Sequence, residues 1–110
     1  MINRYFKELE GSGIKDSLIE KLNLAREISE IPYIINSGYR NYLENLRVGG
    51  RYDSSHLKGL AVDIRAISSR DKFLIIKGLI GAGCTRIGIG NDFIHVDIDK
   101  EKIQSVIWKY

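Results

Sequence analysis

The sequence predicts a small α+β domain, a mainly antiparallel sheet with helices packed on one of its faces. Three observations carry this. Two long segments repeat apolar side chains at helical spacing, several short apolar or alternating runs read as strands, and glycine-containing breaks separate them. The 110 residues fit a single domain spanning 1–110, with no room for a separate binding module.

The first helix is expected from Asp16 to Ser29, where Leu18, Ile19, Leu22, Ala25 and Ile28 recur on one side. Asp16 or Ser17 can cap its start, and Pro32 stops it. Tyr33-Ile34-Ile35-Asn36-Ser37 reads as a short buried strand that turns out at Gly38, and Asn41 to Arg47 as a short helix. A loop through Gly49-Gly50-Arg51-Tyr52-Asp53 follows, then a strand over Leu60–Ile64. Ser68 to Ile80 is a second long helix, with Ser68 and Asp71 placed as a capping pair. After the break at Gly81–Gly83 come strands over Thr85–Ile89 and Phe93–Ile98, joined through Gly90-Asn91-Asp92 as a hairpin. The pattern of Lys102 to Trp108 fits a strand or a short helix equally.

Composition narrows the function. With 44% hydrophobic and 28% charged residues, the chain can build a core and stay soluble. Its formal charge of +3 suits an anionic surface but falls far short of the basic stripe of a nucleic-acid binder, so no nucleic-acid partner is expected. No apolar run reaches membrane-spanning length, and none is expected to insert. Met1 to Glu10 is mixed polar and charged, unlike a signal peptide, so synthesis in a cytoplasm is expected. The single cysteine, Cys84, rules out an internal disulfide and reads as a small core residue rather than a nucleophile.

The chemistry gathers around the two histidines. His56 stands in Ser54-Ser55-His56-Leu57-Lys58-Gly59-Leu60-Ala61-Val62-Asp63, so a turning loop can bring His56 and the strand-borne Asp63 to one point. His95, in Asp92-Phe93-Ile94-His95-Val96-Asp97, shares a strand face with Asp97. Two imidazoles and one carboxylate form a common catalytic zinc set that leaves a fourth position for water. Spacing alone leaves two readings open: this metal site, or a chance His-x6-Asp pair with His95 as a core histidine beside Phe93.

The blocks Ser37-Gly38-Tyr39-Arg40, Ser54 to Asp63, and Arg86-Ile87-Gly88-Ile89 leading into Phe93-Ile94-His95-Val96-Asp97 occur in an order that resembles the zinc D-Ala-D-Ala carboxypeptidases and their murein endopeptidase relatives, of the hedgehog/DD-peptidase fold. The resemblance runs from about Phe6 to Trp108. It implies one zinc held by His56, Asp63 and His95, and metal-assisted hydrolysis of a peptidoglycan stem peptide. It also implies that Arg40 binds substrate and stabilises the developing oxyanion, and that Ser54 binds substrate backbone or stiffens its own loop. Many relatives carry a glutamate three residues before the last zinc ligand. Here that position is Asp92, the expected general base. Asp97 is its rival for that catalytic role, or else a support for a ligand histidine.

The resemblance leaves carboxypeptidase and endopeptidase unseparated. A non-catalytic zinc-binding recognition module of the same fold is the alternative, and a metal-free structural protein a third reading. The chain is expected to be a monomer and to reach the cell wall by a phage-type release route.

Overall fold

The computed structural model describes residues 2–110, and its elements follow the hydrophobic pattern closely. Helix α1 spans Asp16–Ser29, and buries Leu18, Ile19, Leu22 and Ala25. Fully burying side chains of this size contributes about 1.5–3 kcal/mol for each large one. Neither Asp16 nor Ser17 caps this helix. The cap residue is Lys15, which makes no side-chain cap bond. Its N–H donates to the Gly59 carbonyl, so a tertiary contact fixes the chain where the helix begins. Asp16 lies in the first turn, where a carboxylate complements the positive end of the helix.

Strand β1 (Ile35–Ser37) is shorter than the apolar run that announced it. Helix α2 (Tyr42–Arg47) starts with a reciprocal cap: the Asn41 side chain accepts the Glu44 N–H and the Glu44 side chain accepts the Asn41 N–H. A 3-10 turn covers Ser55–Lys58 and leads into strand β2 (Ala61–Arg65). Helix α3 (Ser69–Gly81) begins where Ser68 Oγ accepts the Asp71 N–H at 3.0 Å. Strands β3 (Arg86–Ile89) and β4 (Phe93–Asp97) form the hairpin, closed by Gly90 N–H donating to the Phe93 carbonyl. The undecided C-terminal segment is strand β5 (Val106–Lys109).

The sheet order is β1-β2-β4-β3-β5, antiparallel except for the parallel β3–β5 pair. Alternation along the strands sends Val62, Ile64, Ile87, Ile94 and Val96 to one face, where they pack with Leu18, Ile19 and Leu22 of α1 and Ile75 and Leu79 of α3. Cys84 is part of this core, and burial pushes its thiol up to about 11, so it is inert at neutral pH.

The other face carries the polar residues. Register aligns Ser37 with Asp63, Asp63 with His95, His95 with Gly88, and Gly88 with Trp108, a single row across five strands. Gly88 is needed in that row because a Cβ there would stand 2.7 Å from the Trp108 indole nitrogen. Without it, the His95 and Trp108 rings approach to 5.6 Å between centroids. Among the described residues no helix is long and apolar enough to cross a membrane.

Candidate active site

His56 reaches the row from the 3-10 turn. Gly59 ends that turn at φ +72, and a Cβ at Gly59 would collide with the Gly13 carbonyl, so the turn can sit against the chain before α1 only with glycine there. Ser54 Oγ accepts the His56 N–H at 3.3 Å. The His56 ring is fixed by its Nδ1, 2.7 Å from the Gly38 carbonyl. A carbonyl can only accept, so Nδ1 carries the hydrogen and Nε2 is the ring atom left facing Asp63.

Asp63 lies between the two imidazoles. Its Oδ1 is 3.4 Å from His56 Nε2 and 2.9 Å from His95 Nδ1. Burial would raise the Asp63 carboxyl, but the hydrogen bonds and charge of both histidines outweigh it and hold the group far below the usual carboxylate range. His95 behaves in the opposite sense. Burial disfavours its protonation, yet the bonds to Asp63 and Asp97 prevail and raise its pKa.

One donor atom from each of His56, Asp63 and His95 lies within 4.8 Å of the other two. The donor set is two neutral-capable imidazoles and an ionised carboxylate, with the remaining ring nitrogen of each histidine already bonded to an oxygen. That is the chemistry a tetrahedral zinc ion requires, including the outer hydrogen bonds that set each ring's orientation.

Asp97 supplies the outer bond to His95. Its Oδ2 accepts from His95 Nε2 at 2.8 Å, and its Oδ1 accepts from Arg86 Nε at 2.7 Å and from the Asp99 N–H at 3.1 Å. Burial opposes ionisation of Asp97, but these donors win and lower its pKa. Arg86 is pinned in turn by the Ile103 carbonyl at 2.6 Å and lies over the Trp108 ring at 5.0 Å. Buried Asp99 accepts from Ser55 Oγ at 2.8 Å and from Lys58 Nζ at 3.0 Å, which ties the turn bearing His56 to the end of β4.

Arg40 enters from the opposite side. Its guanidinium donates to Ser37 Oγ at 3.1 Å, to Asn45 Oδ1 at 3.2 Å and to Asp63 Oδ2 at 3.4 Å. Asn45 is buried and also donates to the Arg51 carbonyl, so α2 holds both the arginine and the glycine-rich loop.

Arg40, Ser54, His56, Asp63, His95 and Asp97 therefore line one cleft of about 550 Å³, walled by Phe93, Trp108 and Tyr110. Asp92 does not line it. Strand β4 starts at Phe93, so alternation turns Phe93, His95 and Asp97 toward the cleft, while Asp92 sits exposed in the preceding turn with its carbonyl bonded to the Ala66 N–H.

Residues 5–97 match the model of the Peptidase M15 family. The chain belongs to the peptidase M15 family. No curated protein sequence matches it. Among solved structures, this M15 peptidase is similar to the crystal structure of Serratia marcescens L-Ala D-Glu endopeptidase ChiX, with a TM-score of 0.60 at 20% identity over 91% of this chain and 92% of that one. At that identity the likeness establishes the fold, and the α+β architecture agrees with it.

The cleft of the M15 peptidase also contains residues to which the sequence assigned no role. Trp108 and Tyr110 meet His95, and Arg86 meets Asp97, only through the β4-β3-β5 pairing, and Asn45, which does not itself line the cleft, meets Arg40 only through the placement of α2. The alternation of Trp108 and Tyr110 was visible in the chain, but the partner strand that gives it meaning was not.

Proposed function

We propose that this chain is a zinc endopeptidase that cleaves the stem peptide of peptidoglycan. The observation that carries the proposal is the convergence of His56, Asp63 and His95 with the Arg40 guanidinium in one cleft. The family membership supports peptide-bond hydrolysis, and the fold likeness to an L-Ala D-Glu endopeptidase favours internal cleavage over removal of a terminal D-alanine.

Zinc, when bound by His56, Asp63 and His95, supplies acidification of a water and polarisation of the scissile carbonyl. The remaining work belongs to the chain. Arg40, already fixed by three acceptors, donates to the carbonyl oxygen as negative charge develops on it. The Ser54 Oγ accepts the His56 N–H, which leaves its hydrogen for a substrate backbone carbonyl. Asp97 holds the His95 ring, and its oxygens already accept from Arg86, His95 and the Asp99 N–H, which disfavours it as a proton acceptor. Asp92 is accordingly the base in this scheme. It stands exposed in the turn before β4, three residues ahead of His95.

Digestion of murein sacculi, followed by mass spectrometry, tests the proposal. Stem-peptide fragments with new N-termini, lost on chelation and restored by zinc, are the expected products. Release of free D-alanine alone would make the enzyme a carboxypeptidase, and no product from zinc-loaded protein would make it a recognition module.

Arg40→Ala should keep its zinc, since all three ligands remain, and should lose about 10²–10³-fold in turnover, as for one oxyanion donor. Metal content and steady-state rates on the same preparation measure both, and an unchanged kcat would remove Arg40 from the mechanism.

A further inference from the structure

The cleft is lined by four cationic side chains, Arg40, Arg51, Arg86 and Lys102, against three carboxylates, Asp53, Asp63 and Asp97. Three of the cations are matched. Arg40 pairs with Asp63 at 3.4 Å, Arg86 with Asp97 at 2.7 Å, and Arg51 with Asp53 at 3.1 Å. Lys102 is the one left over. Its ammonium donates to the Asp53 backbone carbonyl at 2.9 Å, a neutral acceptor, and among the described residues no carboxylate lies within ion-pair distance of it.

That arrangement has the chemistry of an anion site. An ammonium has three donors, of which the Asp53 carbonyl takes one, so two remain to face the cleft. The side chain is half-buried, which removes part of its hydration and strengthens any charge-assisted bond it forms. It is also held in place, because its own carbonyl accepts from Gln104 Nε2 at 2.8 Å and its head is anchored on the loop that carries Ser54. Arg51, by contrast, is 80% exposed at the rim and already spent on Asp53.

We propose that Lys102 is a specificity-determining residue that binds a free carboxylate of the substrate beside the scissile bond. The enzyme then selects acidic stem peptides over the same peptides carrying a carboxamide at that position. This rests on the stem-peptide reading of the cleft, and it adds the chemical feature that the cleft reads.

The test uses two synthetic stem peptides that differ only in whether the residue following the scissile bond carries a carboxylate or a carboxamide. Zinc-loaded wild type should prefer the acid by about 10- to 100-fold in kcat/KM, the range for a hydrogen bond between charged groups, with most of the difference in KM. Lys102→Gln should bring the ratio towards unity with its zinc content intact, and Lys102→Arg should restore a preference for the acid. Equal wild-type rates on the two peptides, or a preference that survives in Lys102→Gln, would overturn the role of Lys102 while leaving the peptidase reading in place. Cleavage of neither peptide by zinc-loaded wild type would overturn the stem-peptide reading and this inference with it.

Discussion

His95→Ala is expected to abolish stable zinc binding and to lower peptide hydrolysis by at least about 10³-fold, because metal polarisation is worth several kcal/mol to the transition state. The size of the effect follows from how few groups hold the site. His56, Asp63 and His95 are the donors brought together, so alanine removes one of only three. It also leaves Asp97, a buried carboxylate, without its imidazole partner. His56→Ala should behave in the same way, leaving the Gly38 carbonyl and Asp63 each without one partner. Metal analysis after dialysis, together with rates in excess zinc, measures both parts. Near-stoichiometric zinc in both variants would disprove the ligand assignment. Circular dichroism separates ligand loss from unfolding, and the substitution His95→Gln, which keeps a polar partner for Asp97, serves if alanine proves unstable.

The second large effect distinguishes two aspartates five residues apart. Asp92→Asn should keep fold and zinc while losing about 10²–10⁴-fold in kcat, the contribution of a general base. Its exposure at the turn before β4 means that the substitution disturbs no buried contact. Asp97→Asn should show a different defect. It weakens the bond that orients His95 and removes the charge opposite Arg86, so zinc affinity should fall about 10–100-fold, with activity partly recovered in excess zinc. Chelator-driven zinc release and rates at saturating zinc discriminate the two. If Asp97→Asn is inactive with zinc firmly held and Asp92→Asn remains active, the roles are reversed. The placement of Asp92 outside the cleft makes this the more demanding of the two expectations.

Much of the architecture was legible in the chain because its signals are local. The periodic burial of Leu18, Leu22 and Ala25, the stop at Pro32, the Ser68 cap and the Gly90-Asn91-Asp92 turn each act over a few residues, and the corresponding elements appear within one or two positions of expectation. The bounds of α1 were read correctly, but its cap was misassigned to Asp16 or Ser17 for the converse reason. Its boundary is fixed by Lys15 bonding to Gly59, a contact between segments that local capping chemistry does not encode. Segment 102–108 was undecidable alone, since a short apolar run becomes a strand only when β3 offers it an edge.

The site divides along the same line. By itself the sequence determined which side chains could bear the chemistry: residue type and spacing single out the two histidines and their neighbouring aspartates, and the family resemblance adds Arg40. Only the tertiary structure decided which of them meet. Sheet register places Ser37, Asp63, His95, Gly88 and Trp108 in one row, and the approach of Arg86 to Asp97 depends on that pairing. Strand alternation sends Asp97 into the cleft and leaves Asp92 outside it. The unmatched charge of Lys102 is a tertiary property too, because a lysine is unpaired only with respect to the groups that folding brings around it.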